Sequence, residues 1–401
     1  MRPTPSINME KQQTAATPAK TRNRSVEGLR GIAILLIIAS HTGVLLQGGL
    51  GNAIFFAASG FFAASPFRLN GGEDRFLTPR GIGDYYLSKL LRILPVYWIT
   101  VTAIQLVTHE WFKTTRDLVR CLLFIDSYRH LWFLQNIMVF YLVTPLVMIL
   151  LHFIRKMAGA PAVTKNHSAA TPSKAAASKA ASPAASATRG SLLCCLFLLL
   201  LAAFSRYFLT VDRIWLLKQG KPQEIHFYQY FIGMAAGYLY KVIAGAKKQD
   251  LFRNTLCRIY PVLFLFFCVL SSKHILVYIK PDTNFLVGWR LPVLCTVLSC
   301  LCILCLLFNE GTLTARIYEF FPFGFVGKIS FSIYIIHVVF MTYYHLGSGP
   351  LNFAAVFLSA LGTSLLAYYL IEKPSALFSK NRRAGEIIQY YKNLFRNLEN
   401  D

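Results

Sequence analysis

Ten long apolar runs set the terms for anything this chain can fold into. They lie at about 29–47, 50–66, 87–108, 131–154, 191–209, 226–244, 257–279, 291–308, 325–345 and 351–371. A helix needs ~20 mostly apolar residues to cross ~30 Å of hydrocarbon, and a backbone in lipid must satisfy its own hydrogen bonds. Hydrophobic residues make up 55% of the 401 and charged residues 15%, too little polar surface to clad a globule of this size in water. The expectation is an all-α membrane protein, a bundle of about ten transmembrane helices. The runs at 50–66 and 226–244, rich in Gly and Ala, carry the weakest signal of the ten.

The balance of 41 basic against 18 acidic residues, a net charge of +23, first suggests nucleic-acid binding. The basic residues are not gathered on one soluble domain, however, so no nucleic-acid partner is expected. They fall in alternate loops. With the N-terminus inside, the inside segments hold 30 of the 41, from Arg2 and Lys11 through Lys247 and Lys248 to Arg383 and Arg396. The positive-inside rule then puts both termini in the cytosol, with an even number of spans and membrane lipids all round. The expected location is a cell membrane crossed many times, a bacterial inner membrane or a plasma membrane.

Three regions follow. Residues 1–28 form a polar leader, read as disordered and cytosolic. Residues 29–372 form the transmembrane domain, and 373–401 a basic cytosolic tail with apolar residues at helical spacing, suited to an interfacial helix. Within the domain, 157–190 is an Ala/Ser/Pro/Lys tract without acids, read as a flexible cytosolic loop. The first run is not a cleaved signal, because another run follows it directly. No repeat and no matched pair of broken helices of the transporter kind is evident. Eight of the nine cysteines lie inside runs, and Cys302 and Cys305 form a CxxC. On an apolar helix this reads as small-residue packing, so no metal site is expected.

Ionisable groups at bilayer depth are costly, which makes each one a functional candidate. His41 lies 12 residues into the first run, ~18 Å from its cytosolic end, and His337 lies ten residues past Gly327, at ~15 Å. The two meet near the midplane if their helices are neighbours. Arg30 precedes His41 by 11 residues, which brings it to within ~20° of the same helix face and ~16 Å along the axis. Such a stripe suits a long substrate with a charged head and a reactive tip. The guanidinium holds a phosphate and the imidazole takes a proton from a hydroxyl. Coenzyme A thioesters have this shape. On geometry alone a plainer reading stands beside it, with Arg30 a snorkelling anchor and His41 a helix–helix hydrogen bond.

The stretch 24–41, RSVEGLRGIAILLIIASH, resembles the opening span of the acyltransferase-3 family of integral-membrane O-acyltransferases, with its basic residue, ten intervening residues and histidine at Arg30 and His41. Residues 54–61, IFFAASGF, resemble the second-span signature, and 85–95, YYLSKLLRILP, the third-span basic pair, with Lys89 where arginine is usual. Residues 130–145, HLWFLQNIMVFYLVTP, resemble a further segment but carry Asn136 and Ile137 where many members have two acids. GKISFSIYIIH at 327–337 and IEKP at 371–374 complete the series, in order over about 350 residues.

The resemblance implies an acyl-CoA donor, usually acetyl-CoA, with nothing tightly bound as cofactor, and commonly a carbohydrate acceptor, cell-surface or lipid-linked. It makes His41 the catalytic base, Arg30 its partner toward the donor, and Lys89 with Arg92 a clamp on donor phosphates. Lys89 and Arg92, three apart, share a helix face at the cytosolic edge, where they also fit ordinary positive-inside anchors. Ser59, Gly60 and Phe61 are expected to pack close against the first span beside the donor channel. Glu27 either pairs with Arg30 or serves the helix start. Tyr334 and His337 share a face and orient His41 or bind the acceptor. Trp132 reads as an interfacial aromatic and Glu372 as a headgroup-level contact, while His130, His226 and the remaining histidines are given no role. The rival reading is a proton-coupled secondary transporter or flippase using the midplane histidines as a relay. A third is a related protein without catalysis, on account of the missing acids.

Overall fold

The computed structural model describes residues 23–45, 48–65, 67, 72–108, 111–127, 129–159, 183–208, 225–246, 255–270, 290–344, 346–381 and 384–400. The expected leader up to residue 22 and the centre of the Ala/Ser/Pro/Lys tract lie outside them. Every element among the described residues is helical: α1 (Arg24–His41), α2 (Gly49–Ala63), α3 (Pro79–Thr108), α4 (Thr115–Leu122), α5 (Trp132–Met157), α6 (Pro183–Phe208), α7 (Phe227–Gly245), α8 (Cys257–Leu270), α9 (Arg290–Phe308), α10 (Leu313–Tyr318), α11 (Phe321–Lys328), α12 (Ser330–Tyr343), α13 (Pro350–Ala367), α14 (Lys373–Asn381) and α15 (Ala384–Asn400). Short turns at Asp74–Leu77, Arg129–Leu131 and Tyr368–Glu372 join them.

Each apolar run has a helix at its place, but the helices differ in reach. Four are long and apolar enough to cross a membrane, at Pro79–Leu106, Trp132–Met157, Ala185–Phe208 and Pro350–Phe378, and a fifth span arises if α11 and α12 count as one. Apolar helices at Gly49–Ala63, Cys257–Cys268 and Pro292–Phe308 are shorter. Leucines at 142, 146, 196 and 200 are exposed, as an outer surface that meets hydrocarbon rather than water requires.

Three sequence boundaries are corrected. Helix α1 starts at Arg24, inside the expected leader, because the Asn23 side chain accepts the Val26 amide at 3.0 Å and caps it. It stops at His41 rather than 47. Thr42 Oγ1 donates back to Ile38 O at 2.8 Å, and Gly43 takes φ +76°, which only glycine adopts cheaply. Residues 183–190 form the first turns of α6 instead of loop.

One break in a helix appears within the run at 325–345, beside Lys328. Helices α11 and α12 are bent by 79° around Ile329, and Ser330 Oγ donates to Gly327 O at 2.8 Å across the corner. The end of α10 and the helix α11 before the corner pack backbone to backbone on α1. A Cβ placed on Gly28 would stand 1.6 Å from Tyr318 O, one on Gly31 2.1 Å from Phe323 O, and one on Gly327 1.7 Å from Glu27 O. The weak, small-residue runs are explained in the same way, for α2 and α7 interlock through Gly60 against Tyr230 O and Gly233 against Ala57 O.

Candidate active site

Three imidazoles meet where α1, α12 and the turn before α5 converge. His337 is fully buried, and its Nδ1 lies 2.6 Å from Tyr334 O and 3.3 Å from Ile333 O. A carbonyl only accepts, so Nδ1 carries the proton and Nε2 of this neutral ring is an acceptor. His41 Nδ1 lies 3.1 Å from that Nε2 and must therefore be the donor. The chain of hydrogen bonds fixes the His41 tautomer and leaves its Nε2 with a lone pair, the atom a general base needs. The two rings stack, with centroids 5.3 Å apart. On the other side the His130 ring lies 3.8 Å from His41, centroid to centroid.

Tyr334 ties this cluster to a cavity of about 170 Å³. Its carbonyl orients His337, its hydroxyl donates to His130 O at 2.6 Å, and its ring is on the cavity wall. Arg30, Arg75, Lys89, Arg92 and Ser59 also line the cavity, and no aspartate or glutamate is among its described lining residues. The Arg30 guanidinium lies 5.8 Å from the Phe55 ring centroid, and the Lys89 ammonium 4.5 Å from that of Tyr141. His41 is not on this wall. Tyr334 stands on the wall on the side of the histidines, its ring centroid 5.5 Å from that of His337.

The structure thus brings together His41, His337 and Tyr334, and places Arg30, Lys89, Arg92 and Ser59 around one cavity with Tyr334. Gly60 and Phe61 are not on its wall. The glycine faces Tyr230 and Met234 of α7, not the first span, and Phe61 packs on Tyr240. It is Gly51 that lets α2 approach α1, since a Cβ there would lie 2.5 Å from Ala33 O. Glu27 occupies the first turn of α1, its carbonyl against Gly327.

Trp132 is half-buried, with its ring against those of Phe56 and His226. Glu372 is buried and accepts a hydrogen bond from Ser332 Oγ. Asn136, at the place of the missing acids, accepts the His226 amide at 2.7 Å and donates to Trp132 O at 3.1 Å. A carboxylate could do only the first.

His130 and Arg75 were missed because both sit outside the apolar runs. The only available hint was the position of His130 next to LWFL.

With this geometry in place, a family model described as an acyltransferase domain matches residues 23–372, from the cap of α1 to the turn that holds Glu372. The chain belongs to the acyltransferase-3 family. Neither the curated proteins nor the solved structures contain a match to this acyltransferase. The match includes every member of the histidine cluster and every cation of the cavity. The carrier set beside it on sequence grounds finds no such support, and the apolar helices fit a membrane acyltransferase.

Proposed function

We propose that the protein transfers an acyl group, acetyl by preference, from cytosolic acyl-CoA to a hydroxyl of a cell-surface or lipid-linked carbohydrate. The observation that carries this reading is the relay from the Tyr334 carbonyl through His337 to His41, which ends in an unprotonated Nε2. The acceptor oxygen attacks the thioester carbonyl as His41 Nε2 removes its proton. The new C–O bond forms, the C–S bond breaks, and the imidazolium returns its proton to the departing sulfur, so that free thiol leaves. His337 accepts from Nδ1 throughout and holds the ring in the productive tautomer, as a carboxylate does in other proton relays.

Arg30, Lys89 and Arg92 hold the donor's phosphates at the cytosolic end of the cavity, and the pantetheine arm extends past Ser59 toward Tyr334. Gly60 and Phe61 support this site by fixing α2 against α7, and Glu27 by fixing α1 at Gly327. No cofactor beyond the donor is called for. Both termini lie in the cytosol of a membrane crossed about ten times, in line with the distribution of basic residues.

Purified protein in lipid nanodiscs, given acetyl-CoA labelled in the acetyl group and membranes from its own cells, should move label into glycan or lipid-linked sugar. Label that stays on coenzyme A with every carbohydrate fraction would sink the proposal. His337→Ala should lower kcat by about a hundredfold with KM for acetyl-CoA within twofold, since only the orientation of the base is lost. Loss of donor affinity instead would place His337 in the donor site.

A further inference from the structure

Three of the cavity's four cations, Arg30, Lys89 and Arg92, stand on long packed helices. Arg75 stands on a four-residue turn, Asp74–Leu77, between α2 and α3. Such a turn ordinarily leaves a long side chain free to swing. Here it is pinned on both sides of the arginine. Glu73, 1% exposed, receives Arg155 Nη1 at 2.8 Å, Lys241 Nζ at 3.5 Å and the Tyr238 hydroxyl. Asp74 meets His152 Nδ1 at 2.9 Å, and Phe76 is fully buried. The turn is thereby tied to α5 and α7. The Arg75 guanidinium lies 4.4 Å from the Phe76 ring centroid and 5.6 Å from that of Tyr85, a cavity residue.

Buried charge networks seldom add stability over apolar packing of equal volume, because desolvation offsets the attraction. What they fix is geometry. Burial alone lifts the Glu73 carboxyl, but Lys241 and Arg155 outweigh it and hold the group below the ordinary carboxylate range, so it stays ionised at neutral pH.

We propose that Arg75 is a fourth phosphate-binding side chain of the donor site, and that the Glu73–Arg155–Lys241 network positions it. This rests on the acyl-CoA reading above. A coenzyme A thioester carries a diphosphate and a 3′-phosphate, about four negative charges near neutral pH, to set against four cations. Lys89 offers only a point charge, whereas an arginine grips phosphate through two parallel hydrogen bonds. Arg75 adds such a fork from the turn that precedes α3.

The test is steady-state kinetics of the full chain in nanodiscs with three donors: acetyl-CoA, 3′-dephospho-acetyl-CoA and S-acetylpantetheine, which lacks both phosphate groups. Arg75→Gln should raise KM for acetyl-CoA about tenfold to a hundredfold, the worth of one or two charge-assisted hydrogen bonds. It should leave kcat within twofold and KM for S-acetylpantetheine unchanged. Arg75→Lys should fall between. Glu73→Gln should reproduce the donor-selective rise. Should that variant fail to fold, the Arg75 pair still decides. An unchanged KM for acetyl-CoA in Arg75→Gln, or an equal rise with S-acetylpantetheine, overturns the inference while the acyl-CoA reading stands. A folded Glu73→Gln with wild-type KM removes the positioning role. A wild-type protein that transfers from no acyl-CoA overturns the donor reading and this inference with it.

Discussion

Changing His41 to alanine should cut acyl transfer by a factor of ~10³ or more, with kcat carrying the loss. The substitution removes the lone pair the relay delivers; the His337 Nε2 left facing the gap stands one ring further back along the relay. His41 is half-buried at the end of α1 and the helix is closed behind it by Thr42, so the fold does not hang on this ring. Folded yield by size-exclusion chromatography should therefore remain near that of the wild type. Retention of more than a tenth of wild-type kcat in a correctly folded variant would remove His41 from the chemistry.

Adding a single methyl at Gly327 should do as much damage by another route. The new Cβ would stand 1.7 Å from Glu27 O and 2.6 Å from the Glu27 carbonyl carbon, both backbone atoms that cannot swing aside. Relief requires α1 and α11 to separate, at a cost of about 3 kcal/mol where packing is already tight. A melting curve of Gly327→Ala should fall by several degrees, and activity should fall with it, because the same contact sets the height of His41 against His337. Gly324→Ala is the control, since nothing lies within 4 Å of a Cβ there. If both variants melt like the wild type, the close approach of these two helices is not what holds the site.

Depth along a helix can be counted from residues alone, and this is why the similar depth of His41 and His337 was legible, though not that their helices are neighbours. Which helices touch is not a property of spacing, and the stacking of His130 on His41 lay beyond reach for that reason. The 79° corner was overlooked because the run at 325–345 reads as one span, although Gly327, Lys328 and Ser330 mark the place. Arg75 and Glu73 looked like ordinary loop charges, since a loop of mixed sign before an apolar run is what orientation in a membrane demands. Gly60 was read correctly as a contact residue and assigned to the wrong neighbour, because a small-residue face announces closeness without naming its partner. The identity of the wall around the cations was half visible, through the helical spacing of Lys89 and Arg92.

The His41–His337 hydrogen bond joins residues 296 positions apart. During synthesis the cavity's arginines and lysine are made early, whereas the partner imidazole at position 337 follows only after more than four-fifths of the 401 residues have been made. A nascent or truncated protein therefore carries the His41 imidazole and the cations without the partner that fixes the His41 tautomer, so the relay is completed only when biosynthesis is nearly finished.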